Sequence, residues 1–374
     1  MIQVLKQKRE RMEYFTLLSE EMRGTLTRAG YTTPTEIQEE TLAPLMENRD
    51  LIGIAKTGTG KTAAFAVPVI ERTAAENGKV QALILCPTRE LAQQTTGVFR
   101  MLSAHTGLRT ASVYGGQSPN VQIKALRAGA QIVVGTPGRV MDMIERNVLK
   151  LKNVRTVILD EADVMLDFGF LPDIRRIMSY VTGKHQTLLF SATMNAEVSK
   201  VAAQFLINPV RVEIGERDTP VETVSQTFIM TEEPMKTRVV KYVLSEAQPR
   251  LALVFCNTRS RVKRVTAALE KLGVATTCLH GDLTQSQRDR IMRGFRSARS
   301  SVLVATDVAA RGIDVLDIDL VINYDVPDKP EYYVHRIGRT GRAGHKGLAC
   351  TLISEGDKAR MQEIRKRYKI IEAE

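Results

Sequence analysis

The sequence predicts an α/β protein of two tandem lobes, each a mainly parallel sheet flanked by helices. Three observations carry that prediction. Short β-branched runs alternate with helical spacing along most of the chain, the pattern of strands joined by crossover helices. At ~100–200 residues per domain, 374 residues imply two cores rather than one. The alternation also lapses once, over 208–223 (NPVRVEIGERDTPVET), where two prolines and clustered charges suggest a linker. The expected domains are therefore 1–216 and 217–374.

Each element has a local reason. In the first lobe Leu51–Ala55, Val80–Cys86, Thr110–Tyr114, Gln131–Gly135, Thr156–Leu159 and Gln186–Ser191 are short, β-branched or apolar runs bounded by turn residues, and are read as strands. Between them, Thr62–Glu76 and Arg89–Ser103 repeat apolar residues at helical spacing. The second lobe repeats the pattern. Its strands are Leu251–Cys256, Ala275–Leu279, Val302–Ala305, Leu320–Asn323 and Leu348–Ile353, and its helices include Ser260–Lys271, Gln285–Arg296 and Lys358–Arg367. Arg290, Arg293, Arg296 and Arg299 recur on one helical face, which reads as a solvated surface.

Composition narrows the function classes. With 43% hydrophobic and 25% charged residues, the chain is globular rather than disordered. No run of 18 apolar residues occurs, and the opening MIQVLKQKRERMEYF lacks the apolar core of a secretory signal, so no membrane role is expected. Cys86, Cys256, Cys278 and Cys350 form no CxxC pair, which argues against a disulfide framework or zinc site and for a reduced, cytoplasmic location. A net charge of +11 favours a polyanionic partner.

Ala55-Lys56-Thr57-Gly58-Thr59-Gly60-Lys61-Thr62 lies between a strand and a helix. Exposed backbone N–H groups and a helix N-terminus make such a loop a phosphate cradle. In that reading Lys61 reaches the β/γ-phosphates and the Thr62 hydroxyl ligates Mg²⁺. Ala55 replaces the first glycine of the general pattern. A hundred residues on, the apolar strand Val157-Ile158-Leu159 runs into Asp160-Glu161-Ala162-Asp163. Beside a phosphate loop, Asp160 would hold the Mg²⁺ shell and Glu161 would polarise the attacking water.

Asp160–Asp163 spells DEAD, and the chain resembles the DEAD-box family of ATP-dependent RNA helicases, in superfamily 2, from about Phe15 to about Gly347. The motifs occur in the family's order. Gly30–Gln38 resembles the Q motif, which spans 14–38 with Phe15 as its upstream aromatic. Pro87–Ala92, Gly115-Gly116, Thr136-Pro137-Gly138-Arg139 and Ser191-Ala192-Thr193 follow. In the second lobe Leu253–Thr258, Leu279–Asp282 with Gln285–Arg288, Ala305–Asp314 and His335–Arg342 match the later motifs. Lys56 departs from the family's usual glutamine.

The resemblance implies tandem RecA-like domains, ATP and Mg²⁺ as cofactors, and RNA as partner. It implies that Gln38 reads adenine, with Tyr31 and Phe15 alongside, and that Asp314 accepts from ribose hydroxyls. Thr88, Arg89, Gly115, Gly116, Thr136, Gly138 and Arg139, with Arg288 and Thr306, would grip RNA sugar and phosphate rather than base edges. Ser191 and Thr193 would bond to Asp163 as a coupling element. Arg339 and Arg342 would serve the γ-phosphate as arginine fingers, and His335 would hydrogen-bond toward Asp163. The implied function is local unwinding of short RNA duplexes, or remodelling of RNA–protein complexes, coupled to ATP hydrolysis, with protein partners for targeting. Two alternatives are an ATP-gated RNA clamp that unwinds little and a DNA translocase of the same superfamily.

Overall fold

A computed structural model describes residues 16–55, 58–75, 78–214, 224–310, 318–341, 346–368 and 370. Phe15, Lys56, Thr57, Asp314 and Arg342, all named above, lie outside the described residues. The chain divides into two compact units, Met1–Gly215 and Glu216–Glu374.

The first unit holds seven strands: β1 (Leu51–Ile54), β2 (Ala82–Leu85), β3 (Thr110–Val113), β4 (Ile132–Gly135), β5 (Thr156–Leu159), β6 (Gln186–Ser191) and β7 (Val210–Glu213). They form one sheet in the order β3-β4-β2-β5-β6-β1-β7, and every pairing is parallel. Its helices are α1 (Glu20–Arg28), α2 (Glu36–Met46), α3 (Lys61–Arg72), α4 (Arg89–Leu102), α5 (Pro119–Arg127), α6 (Pro137–Glu145), α7 (Ala162–Asp167), α8 (Leu171–Ser179) and α9 (Ala196–Phe205). The central strands are apolar on both faces because helices cover both. On β2, Leu83 and Leu85 enter one core while Ala82 and Ile84 enter the other.

The second unit repeats the plan with β8 (Val224–Met230), β9 (Ala252–Phe255), β10 (Thr276–Leu279), β11 (Val302–Ala305), β12 (Leu320–Asn323) and β13 (Gly347–Ile353). These are ordered β10-β11-β9-β12-β13-β8, again all parallel. Its α-helices are α10 (Lys236–Ala247), α11 (Arg259–Lys271), α12 (Gln285–Arg296), α13 (Asp307–Ala310), α14 (Pro330–Ile337) and α15 (Lys358–Tyr368). On β9, Leu253 and Phe255 face one core, Ala252 and Val254 the other. Arg290, Arg293, Arg296 and Arg299 are exposed, as their spacing on α12 and just beyond it predicts. Among the described residues, no helix is long and apolar enough to cross a membrane.

One expectation is corrected. The stretch read as a linker contains β7, which pairs in register with β1, Leu51 opposite Val210 and Ile54 opposite Glu213. Its Val-Arg-Val-Glu alternation is that of a half-covered edge strand, and Val212 is 5% exposed. Flanking prolines and charges masked so short a signal.

Candidate functional site

Because the strands of the first sheet are parallel, their C-terminal ends share one edge, where open α/β sheets place ligands. The sequence-predicted residues of the first unit fall there in two groups. The loop after β1, the carboxylates after β5 and Ser191–Thr193 at the end of β6 leave three adjacent strands. Thr88 and Arg89 after β2, Gly115 and Gly116 after β3, and Thr136, Gly138 and Arg139 after β4 leave the three strands beside them.

In the phosphate loop, Gly60 adopts φ +93° as the N-cap of α3. A Cβ there would come within 2.6 Å of Gln38 Nε2 and 2.9 Å of Thr35 Oγ1. Only glycine meets both demands, positive φ and close approach. Lys61 is 7% exposed, and its Nζ donates to the Ala55 carbonyl at 2.5 Å. Ala55, itself buried, donates its N–H to Ser191 O at 3.1 Å, tying the loop to β6. Gln38 is committed within the protein at both amide atoms. Its Oε1 accepts from Thr35 N at 3.0 Å, and its Nε2 donates to Gly60 O at 3.2 Å. Gln38 thus caps α2 and fastens it to the phosphate loop. Tyr31 is half-buried and packs on the adjoining core.

Across β6, Asp160 is 2% exposed. Burial and the neighbouring Glu161 carboxylate push its carboxyl up to about 7, with Lys61 pulling the other way. A buried carboxylate beside a half-buried one, with one nearby ammonium, suits a divalent cation, which would neutralise the surplus charge. Glu161 sits at φ +51°, left-handed, as the N-cap of α7. Asp163 is buried and accepts at Oδ2 from Thr193 N (3.1 Å) and Thr193 Oγ1 (3.0 Å). The expected direct bond from Ser191 is replaced by an indirect one. The Ser191 hydroxyl donates to Thr193 O at 2.8 Å, so Ser191 holds Thr193 and Thr193 holds Asp163. Among the described residues, no group of three or more His, Cys, Asp or Glu side chains could hold a metal unaided. That is the ordinary condition of Mg²⁺, which relies on phosphate oxygens and water as well as protein.

On the other half of the edge, Thr88 caps α4 by accepting from Leu91 N at 3.2 Å. Thr136 begins α6, and Gly138 and Arg139 lie in that helix's first turn. Arg139 donates to Gln117 O at 3.1 Å and to Gln122 Oε1 at 3.3 Å. Gln122 in turn donates to Tyr114 O at 2.8 Å. Arg139 therefore pins the loop that carries Gly115 and Gly116, and the Arg89 guanidinium lies against the same two glycines.

In the second unit, Arg288 and Thr306 meet at one residue. Arg288 Nη2 donates to Ala309 O at 3.4 Å, and Thr306 Oγ1 accepts from Ala309 N at 3.3 Å. His335 is in the last turn of α14, and its carbonyl accepts from Arg339 Nε at 3.3 Å. Sequence reasoning passed over Arg336, which proves to be the hub. It is 1% exposed and bidentate on Asp307 at 2.7 and 2.6 Å. It also donates to Asp325 O at 2.6 Å and Asn257 Oδ1 at 2.7 Å. Its guanidinium lies 5.2 Å from the centre of the Phe255 ring. One side chain thus joins the ends of β9, β11 and β12. Nothing in the spacing of Arg336, Arg339 and Arg342 separates the buried arginine from its neighbours; the polar residue soon after each strand, Asn257, Asp307 and Asp325, was the usable signal.

The DEAD/DEAH box helicase family model matches residues 35–201, and the helicase conserved C-terminal domain model matches residues 235–344. The DEAD-box ATP-dependent RNA helicase CshA of Bacillus licheniformis is 43% identical over 352 residues, 94% of this chain and 72% of the relative. CshA of Bacillus subtilis is 42% identical over the same share of this chain and 71% of its own. Among solved structures, S. cerevisiae Dbp5 bound to RNA and ADP BeF3 superposes with a TM-score of 0.86 at 33% identity, covering 95% of this chain and 93% of Dbp5. Mss116p bound to ssRNA and AMP-PNP gives 0.86 at 28% identity, with 96% and 77% coverage. With both family models matched in order and relatives above 40% identity over 94% of its length, this chain of two RecA-like units belongs to the DEAD-box family of ATP-dependent RNA helicases.

Proposed function

We propose that the chain grips RNA by its sugar–phosphate backbone and spends ATP to separate short duplexes or remodel RNA–protein complexes. The observation that carries this reading is the division of the first sheet's ligand edge. Nucleotide-type groups leave β5, β6 and β1, while glycines, threonines and arginines suited to a phosphate chain leave β3, β4 and β2. In this assignment 1–216 is the ATP-binding helicase domain and 217–374 the C-terminal helicase domain. Lys61 leaves the Ala55 carbonyl for the phosphates, and Thr62 and Asp160 hold Mg²⁺. When bound, that ion would neutralise phosphate charge. Glu161 polarises the attacking water, and Asp163 with Thr193 and Ser191 serves as the coupling element. Gln38 would recognise adenine by exchanging the bonds it now makes to Thr35 and Gly60. Arg339 and Arg342 act on the phosphate charge, and Asp314 on ribose. The four cysteines are unpaired, which supports a reduced cytoplasmic setting.

ATPase rates with single-stranded RNA, duplex RNA and matched DNA, alongside strand displacement, test the reading. RNA should stimulate hydrolysis and DNA should not, because 2′-hydroxyl contacts distinguish them. Lys61→Ala should abolish turnover while leaving the thermal melt within a few degrees. Equal stimulation by DNA would overturn the assignment of RNA; RNA residence without strand displacement would make the chain a clamp.

A further inference from the structure

We infer that the Gly115–Gly116 doublet is the seat of the Arg89 guanidinium, and that Gly116 acts on RNA through Arg89 rather than by a contact of its own. This rests on the reading of the β3-β4-β2 edge as an RNA surface. A Cβ at Gly116 would fall 1.9 Å from Arg89 Nη1, 2.6 Å from Cζ and 3.1 Å from Nη2. A Cβ at Gly115 would meet the same group at 3.5 Å, an ordinary contact. The guanidinium therefore lies over the bare backbone of both residues, and any side chain at 116 occupies the place it holds. Gly116 also has φ +80°, so two separate demands select glycine there.

The seat is rigid on its other side. Arg139 binds Gln117 O, and Gln122 joins Arg139 to Tyr114 O, so the loop 114–117 is held between two arginines. A planar guanidinium laid on such a surface loses less freedom when it meets a phosphate than one waving in solvent. What a Cβ would displace is the far end of a flexible side chain, so the expected consequence is a misplaced Arg89 rather than a broken sheet.

A double-mutant cycle on the full chain tests this. The probe is a fluorescent oligouridylate, titrated with a nonhydrolysable ATP analogue at several salt concentrations. Arg89→Ala should weaken binding and reduce the slope of log affinity against log salt by about 0.7, the loss of one phosphate contact to a single strand. Gly116→Ala should reproduce most of that loss, and the double variant should bind no worse than Arg89→Ala alone. Gly116→Asn separates backbone strain from displacement, since Asn tolerates positive φ yet carries a Cβ. It should lose as much RNA affinity as Gly116→Ala with a smaller drop in melting temperature. If Gly116→Ala costs the same factor with or without Arg89, the glycine contacts RNA directly and the seat is wrong. If Arg89→Ala itself leaves affinity and salt slope unchanged, the RNA reading of this edge fails, and the seat loses its function with it.

Discussion

At the scale of single residues, the chemistry is held by groups in unfavourable states. Glu161 has no glycine's excuse for φ +51°, and a non-glycine residue held left-handed costs of order 1–2 kcal/mol. Parallel β5 delivers Asp160 buried, and α7 must start at once to bring Asp163 under Thr193; the turn between them falls on Glu161. The strain should therefore be separable from the chemistry. Glu161→Asn, which tolerates this backbone, is expected to raise or preserve the melting temperature while lowering turnover at least 10²-fold, the usual loss with a general base. Differential scanning fluorimetry and an ATPase assay on the same preparation check both halves, and a destabilised variant would contradict the strain argument. The loop residues and carboxylates were legible because glycine, lysine and paired acids are rare side by side. The bond from Gln38 Nε2 to Gly60 O was not, because it joins residues 22 apart in sequence through a backbone atom.

At the scale of elements, the second unit shows where periodicity stops informing. β9, β11, β12 and β13, inside the sheet, were legible as apolar runs, and the edge strand β10 as a short β-branched one, with ends within a residue or so of those observed. β7 of the first unit and β8 were not, since each mixes polar with apolar residues and has charged residues close beside it in the sequence. The start of α10 is fixed by a pairing the sequence does not announce. Lys236, fully buried, donates to Asp357 Oδ2 at 2.9 Å, joining the first turn of α10 to the turn before α15. Burial pushes the Asp357 carboxyl up, but bonds from Ser354 and Lys236 outweigh it and hold the group below its ordinary value. The ionised form therefore stabilises the fold fully above about pH 3.9, the unfolded value, and that contribution is lost as pH falls through the lower folded one. Asp357→Asn should flatten the acid limb of a stability–pH profile. Lys236→Met removes one of two cations on Asp357, Arg360 keeping its 2.6 Å bond to Oδ1, so it should cost less than the ~3–5 kcal/mol of a fully broken buried pair. Urea melts from pH 3 to 7 read both, and an unchanged acid limb in Asp357→Asn would refute the linkage.

At the scale of the whole molecule, the two units carry different halves of the chemistry. The first holds the phosphate loop and the Asp160–Glu161 pair; among the described residues, the second holds Arg339 within a turn of His335, and the hub at Arg336 that ties together the strand ends around it. On the proposed roles, nucleotide binding is chiefly a property of the first unit, because the loop's backbone, Lys61 and Gln38 all belong to it. On the same proposed roles, hydrolysis needs the whole chain, because both candidate arginine fingers, Arg339 and Arg342, belong to the second. The prediction is a split between affinity and turnover. Arg339→Ala should leave ATP affinity within a few-fold of the parent while lowering RNA-stimulated turnover toward the 10³-fold or more associated with loss of an arginine finger. Residues 1–216 expressed alone should bind ATP analogues and show no RNA stimulation. Equilibrium titration with a fluorescent ATP analogue, paired with steady-state ATPase at saturating RNA, measures both sides of the split. Near-parental, RNA-stimulated hydrolysis by the isolated first unit would mean that a single RecA-like unit suffices, and the division of labour argued from the placement of these residues would fall.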